Sequence, residues 1–347
     1  MSLRRPALSG SSFLRFLLRR VFLTLPLLLG VVFVTFMLVR IGGHDPVALL
    51  AGPTATGPQI EAITRELGLD QPLWKQFALY LAHLLQGDIG QSWVSGRPVL
   101  QEIGDRLPIT AELLFWGIGF GALIGIPVGL RAAKDHGSLF DHVSRVVSLL
   151  GFSIPTYWLG LAALLIFFYL LGWAPPGMGR ISLMAIPPPR ITGSYLIDGL
   201  LTLNWEAARS AFAQLVLPVV CIAIVAAAPI IKQTRAIALE VWSSDYVRYA
   251  QASGLNSGML RKLVLRNSLV PVTTFIGTEV TGLIGTTSLI EYVFAWGGVG
   301  QYGLNAIIQG DFSVVQGYVL TLALFSVIVF LIVDIAVMWL EPRAAMR

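Results

Sequence analysis

Long apolar runs, broken at intervals by short polar or basic stretches, set the rhythm of this chain. A helix rising about 1.5 Å per residue needs about 20 apolar residues to cross roughly 30 Å of hydrocarbon. By that measure the pattern predicts six spans, at about 17–39, 110–131, 146–171, 213–233, 272–294 and 316–340. The first follows Arg15, Arg19 and Arg20, as the core of a secretory leader does. Its apolar run exceeds the roughly 7 to 15 residues of such a core, and no small-residue cleavage site follows, so it is expected to remain as a span. The expected fold class is an all-α polytopic membrane protein.

The polar stretches alternate in charge. The N-terminal tail carries Arg4, Arg5, Arg15, Arg19 and Arg20, and the second connection carries Arg131, Lys134 and Arg145. The stretch before the fifth span, with its flanks, carries Lys232, Arg235, Arg248, Arg261, Lys262 and Arg266. Between these lie residues 41–109, with four basic side chains against seven acidic ones, and 297–315, where Asp311 is the one charge. Lys and Arg concentrate on the cytoplasmic side of membranes, which predicts both termini and the 234–271 loop there. The expected organisation is a tail at 1–16, a first span, an outside helical insertion at 40–109, a core at 110–340 and a tail at 341–347. Within the insertion, PQIEAITRELGL and PLWKQFALYLAHLLQG read as helices, with Pro72 starting the second and Gly87 stopping it. Residues 173–212, with PPG and IPPPR, read as an irregular cap followed by a short amphipathic helix.

Composition agrees with a membrane class: 55% of residues are hydrophobic and 12% charged, against roughly 25% charged in soluble domains. The net charge of +5 follows from the basic loops, so no nucleic-acid partner is expected. Cys221, alone in VLPVVCIAIVAAAPII, reads as a small buried hydrophobe. Catalytic patterns are missing. No Lys follows a Gly, which removes the GxxxxGK[ST] phosphate loop, and His44, His83, His136 and His142 lack metal-ligand spacing. GFSIPTYWLG around Ser153 is not GxSxG. The chain is therefore expected not to be an enzyme and to bind no cofactor or metal of its own.

Acidic residues in the spans need a reason, since a charge at the bilayer centre costs about 2.5 to 3.5 kcal/mol on insertion scales. Glu112 is expected in the first turn of its span, facing the helix dipole, and Asp334 to pair locally near the cytoplasmic end. Glu279, mid-span among Gly and Thr, and Glu291, near the outer end, are candidates to line a path. An interhelical hydrogen bond is the alternative at Glu279.

The stretch YAQASGLNSGMLRKLVLRNSLVP, Tyr249 to Pro271, is too polar for a span. It reads as two short helices with a corner. Gly254 supplies a left-handed helix end with Leu255 folding back on it, and Asn256 or Ser257 caps the next helix. Met259, Leu260, Leu263 and Val264 form an apolar face, Lys262 and Arg266 a basic one, and Pro271 opens the fifth span. Such a corner suits lipid headgroups or a groove in another protein.

This stretch resembles the cytoplasmic signature loop of ABC importer permeases, EAA followed after three residues by Gly, at Arg248, Tyr249, Ala250 and Gly254. Arg248 stands in place of the Glu, and Tyr249 in place of the first Ala. The longer DYVRYAQASGL, then RNSLVP, is similar to permeases of bacterial dipeptide and oligopeptide importers. So are HDPV (44–47), LGLDQPLWKQF (67–77), GDIGQS (87–92), GSLFDH (137–142), EYVFAWGGVG (291–300), DFSVVQG (311–317) and EPR (341–343). The family commonly has Gly at His44 and Pro at Gly297. The resemblance implies the six-helix type I ABC importer permease fold in a bacterial inner membrane. It also implies a second homologous permease, two ATP-binding subunits that hold ATP and Mg, and a substrate-binding protein. Asp245, Tyr246, Arg248, Ala250, Ala252, Gly254, Leu255 and Pro271 would then form the ATPase-coupling loop. Related permeases carry dipeptides, longer peptides, glutathione or nickel complexes, and these alternatives stay open. An ion-coupled transporter built on Glu279 finds no inverted repeat to support it.

Overall fold

A computed structural model of the chain describes residues 10–41, 56–66 and 68–340. Most of the tails, HDPV with His44, and EPR lie outside the described residues. Twelve α-helices occur among them, in the order α1 Gly10–Ile41, α2 Gly57–Glu66, α3 Leu73–Leu85, α4 Val99–Lys134, α5 Leu139–Ser153 and α6 Thr156–Ala163. There follow α7 Tyr195–Leu201, α8 Trp205–Ser243, α9 Asp245–Ala252, α10 Ser257–Val293, α11 Val299–Gln309 and α12 Phe312–Leu340.

Among the described residues, five helices are long and apolar enough to cross a membrane: the Phe22–Arg40 part of α1, α4, α8, α10 and α12. The third span differs from the single helix expected at 146–171. In its place stand α5 and α6 with the π-helical extension Leu164–Leu170, bent by 97° at a break, the geometry of a broken span or a re-entrant loop. Pro155 causes the break: it has no amide to donate and disfavours helical geometry at the residue before it, and Ile154 is extended at ψ 123°. Helices also run past their apolar windows. α4 begins at Val99, inside the expected insertion, so Glu112 lies three turns into a helix and not in its first turn. There it accepts a hydrogen bond from Ser194 Oγ. The fifth span does not begin at Pro271 either, because α10 continues through it. One proline removes a single helical hydrogen bond, and neighbouring helices hold such a segment straight enough to continue.

α4 and α8 form the most extensive helix contact among the described residues. Gly117, Gly121, Gly125 and Gly129 recur every four residues, down one face of α4. A β-carbon at these positions would stand within 2.7 Å of side-chain atoms of Ile222, Ala226, Ile230 and Thr234, themselves four apart on α8, and closest of all to Ile222. The two backbones thus touch through a ladder of small residues, the arrangement that drives helix association where lipid removes the hydrophobic effect. α10 packs on this pair through Leu283 and Ile284, against Leu114, Ile118, Ala226 and Ile230. α12 packs on α10, and α1 on α12. Asp334 does not pair locally. It accepts from Arg20 of α1 at 2.5 Å, which brings the start of the first span and the end of the last to one face.

The ladder makes a sharp distinction between neighbouring glycines. Gly121→Val is expected to destabilise by about 1–3 kcal/mol through forced separation of α4 and α8. Gly119→Val, two residues away with nothing within 4 Å of its added carbon, is expected to change little. Thermal unfolding of the two variants in detergent, followed by size-exclusion retention, measures the difference.

Candidate functional site

The corner predicted around Gly254 is built by two local devices. α9 ends in a paired motif: Gly254 N donates to Gln251 O at 3.0 Å and Leu255 N to Ala250 O at 3.2 Å. The turn requires φ +83° at Gly254, a value strained for any side chain, while the space around it is open. Asn256 then caps α10, accepting from Met259 N at 2.9 Å.

One face of the corner is seated. Val247, Leu260 and Val264 are buried with Ala133 from the end of α4 and Ala238 from the end of α8. Leu263 and Ala250 pack against them. The other face is open: Asp245, Arg248, Ala252, Gly254 and Leu255 are exposed, with Tyr246 at 47%, Tyr249 at 76% and Met259 at 58%. Met259 therefore points away from the apolar face expected of it. Pro271 is not part of this corner, lying about 21 Å along α10 from Ser257 at 1.5 Å per residue.

A buried ion pair ties the corner's support to the third span. Asp141 is 1% exposed, and Arg235 of α8 donates to it at 2.5 Å and 2.8 Å. Gly137 N also donates to it at 3.0 Å, and Ser138 caps α5 by accepting from Asp141 N. GSLFDH is thus the socket for an arginine 94 residues further on.

The opposite end of the bundle is closed by polar joints. Ser92 Oγ donates to the buried Asp311 at 2.6 Å, which joins GDIGQS to DFSVVQG. Tyr302 OH donates to Glu102, and Arg190 from the irregular cap pairs with Asp105 at 2.6 Å. Glu291, expected to line a path, is 0% exposed. Thr110 Oγ1 donates to it at 2.6 Å and Gln301 N at 2.8 Å, while Val299 N donates to Thr110 Oγ1. A carboxylate so placed caps the start of α11 and fixes the turn before it, so its role in this structure is a latch. Gly298 has no room for a side chain beside it. Glu279 is half-buried on α10, with no hydrogen bond to another side chain recorded among the described residues. Below the joints, the cap segment folds around Asp198, which accepts from Thr192 N and Thr192 Oγ1 at 2.7 Å and from Ile191 N and Gly193 N. Burial opposes the charge on Asp198, but these four donors outweigh it and hold the carboxyl below the ordinary aspartate range.

Sequence reasoning missed the ladder and the Asp141–Arg235 pair. The first had a readable signal, four glycines at intervals of four; the second had none, since nothing local marks two opposite charges 94 apart as partners.

An all-α, multi-pass membrane protein is the class these features define, with a corner around Gly254 that is buried on one face and exposed on the other. The family described as "Binding-protein-dependent transport system inner membrane component" matches residues 125–346, and its N-terminal companion, "Binding-prot-dependent transport system membrane comp, N-term", matches residues 13–114. The chain is 38% identical over 315 residues to the "Probable D,D-dipeptide transport system permease protein DdpB" of Escherichia coli (strain K12), covering 90% of this chain and 92% of that one. It is 37% identical over 332 residues to the "Di/tripeptide transport system permease protein DppB" of Pseudomonas aeruginosa (strain UCBPP-PA14), covering 95% and 98%. The "Dipeptide transport system permease protein DppB" of Escherichia coli (strain K12) is 36% identical over 340 residues, covering 95% and 98%. The chain belongs to the family of binding-protein-dependent transport system inner membrane components.

Two outcomes follow from the charged joints. Asp141→Asn should cost about 3–5 kcal/mol by stranding Arg235, and the double variant Asp141→Asn/Arg235→Gln should lose less than the sum of the singles. Thermal unfolding of the three variants reads this. Asp198 has a depressed pKa, so its contribution is full above the ordinary aspartate value of about 4 and is lost as pH falls below it. Hydrogen exchange at the amides of residues 191–193, corrected for intrinsic rates, should show protection at pH 6 that is lost as pH falls below the ordinary aspartate value.

Proposed function

We propose that this chain is one membrane half of an ATP-driven importer that carries dipeptides or longer peptides across the bacterial cytoplasmic membrane. The names of its relatives support the cargo class. A second, related permease supplies the other half, two subunits holding ATP and Mg act on the cytoplasmic face, and a substrate-binding protein delivers from outside. Both termini and the corner lie on the cytoplasmic side, in keeping with the basic residues that flank them. The domain limits follow from this reading: an outside insertion before the core and a coupling loop within 234–271.

The observation that carries the reading is the corner. It is exposed on one face through Tyr246, Tyr249 and Met259 and clamped on the other to the ends of α4 and α8. Exposed aromatic residues on a rigid, water-facing turn suit a protein groove. A push on Asp245, Tyr246, Arg248, Ala250, Ala252, Gly254 and Leu255 reaches α4 and α8 through Val247 and Leu260. ATP-driven closure of the partners then tilts the helix pair between two arrangements, the basis of alternating access. The path itself finds support on α10, where Thr274, Thr278, Gly282, Gly285 and Thr286 are exposed along one side with Glu279 beside them. Thr274, Thr278 and Thr286 turn their hydroxyls to backbone carbonyls of the same helix, and the small, polar face they leave suits water or the second permease better than lipid.

Gly254→Asp is the decisive variant. It should insert at normal abundance, because nothing within 4 Å obstructs it, yet reduce peptide uptake by cells at least tenfold. The causes are about 1–2 kcal/mol of backbone strain and a charge on the docking face. Unchanged uptake by a well-expressed variant would refute the assignment of the corner.

A further inference from the structure

Beside the corner, a cleft of about 680 Å³ opens between the end of α4 and the start of α10. Its volume is that of a ligand site. Two kinds of surface meet in it. Trp242, Val264 and Leu265 give an apolar floor, and Arg131 and Lys134 from α4 face Arg261 and Lys262 from α10. Asp135 is the acid in the lining, 3.7 Å from Arg131 and 3.9 Å from Lys134. Four cations therefore stand against one carboxylate, and among the described residues Arg261 and Lys262 have no ion-pair partner.

The cleft also sits at a defined depth. Arg131 closes the apolar run of α4, and that helix ends three residues later. The walls thus lie where hydrocarbon gives way to headgroups, whichever side of the membrane the corner occupies. A small anion would use the cations and leave the floor wet; an acyl chain alone would leave Arg261 and Lys262 unpaired. We infer that the cleft binds an anionic phospholipid, its phosphate on Arg261, Lys262 and Lys134 and the start of an acyl chain along Trp242 and Leu265. The lipid would bridge α10, one turn past the corner, to the α4 end of the glycine ladder. Anionic lipid in the surrounding leaflet would then stiffen the link between corner and helix pair. The inference does not depend on the transported cargo.

Native mass spectrometry of the full-length chain in detergent tests it, titrating phosphatidylglycerol, phosphatidylcholine with the same chains, and glycerol 3-phosphate. Each cation near an anionic headgroup contributes about fivefold in affinity, so Arg261→Gln/Lys262→Gln should weaken phosphatidylglycerol binding roughly 25-fold and leave phosphatidylcholine unchanged. Lys134→Gln, a milder change at an exposed position, should weaken it about fivefold and carries the test if the double variant aggregates. Equal retention by wild type and variants, or phosphatidylcholine binding as tightly as phosphatidylglycerol, would overturn the site. Displacement by glycerol 3-phosphate would make it a phosphate site, and loss of the lipid on adding the ATP-binding subunits would make it a protein contact; either result rejects the proposal.

Discussion

The close approach of α4 and α8 is the constraint on which the rest of the molecule depends. Four glycines, one per turn, let the backbones meet where any side chain would hold them apart. In a bilayer this matters more than in water, because lipid tails are as apolar as leucine and helix association rests on dispersion and close contact. Three other elements are fastened to this pair. α10 rests on it through Leu283 and Ile284, α5 through Asp141, and the corner through Val247 and Leu260. Tightly interlocked surfaces do not deform continuously, which makes the pair one packed body.

The two ends of that body are held by different physics. At one end Ser92 meets Asp311, Thr110 meets Glu291 and Arg190 meets Asp105, all through directional hydrogen bonds between residues far apart in the chain. Such bonds weaken steeply when their geometry is disturbed. At the other end the corner sits in an apolar seat, where side chains can shift by fractions of an ångström with little change in buried area. The corner's end is tied by the Asp141–Arg235 pair as well, so the two ends differ in degree: directional bonds dominate at one, and an apolar seat beside a buried ion pair holds the other. The 97° bend at Pro155 adds to this, since α5 follows α8 through Asp141 while α6 packs against α10 near Ile290 and Phe294.

Much of this was legible in the sequence wherever the cause is local. Hydropathy located the five long apolar helices and the bent pair α5–α6, because twenty apolar residues have few other uses, and the capping residues Gly254 and Asn256 located the corner. Pro72 and Gly87 bracketed α3 for the same reason. Hydropathy failed at helix ends, since it sees the membrane and not the helix: Val99 to Ile109 and Ser257 to Pro271 are helical but polar. It also missed the bend, although Pro155 was in view, because a break of two residues barely lowers an apolar average. Glu291 and Asp334 were misjudged because their partners, Thr110 and Arg20, lie 181 and 314 residues away. A lone carboxylate in a span looks the same in sequence whether it faces a path or a buried latch.

The open space around Gly254 has a consequence of its own. Most required glycines are required by size; this one has nothing within 4 Å of where its side chain would begin, so size does not select it. What selects it is the sign of φ at +83°, which is a matter of handedness. A D-residue has the mirror-image preference, so D-alanine installed by chemical ligation would suit this backbone better than glycine does, stiffening the turn by removing conformations from the unfolded chain. The joint is thus chiral in its demands, and natural translation satisfies it with the one residue that has no hand.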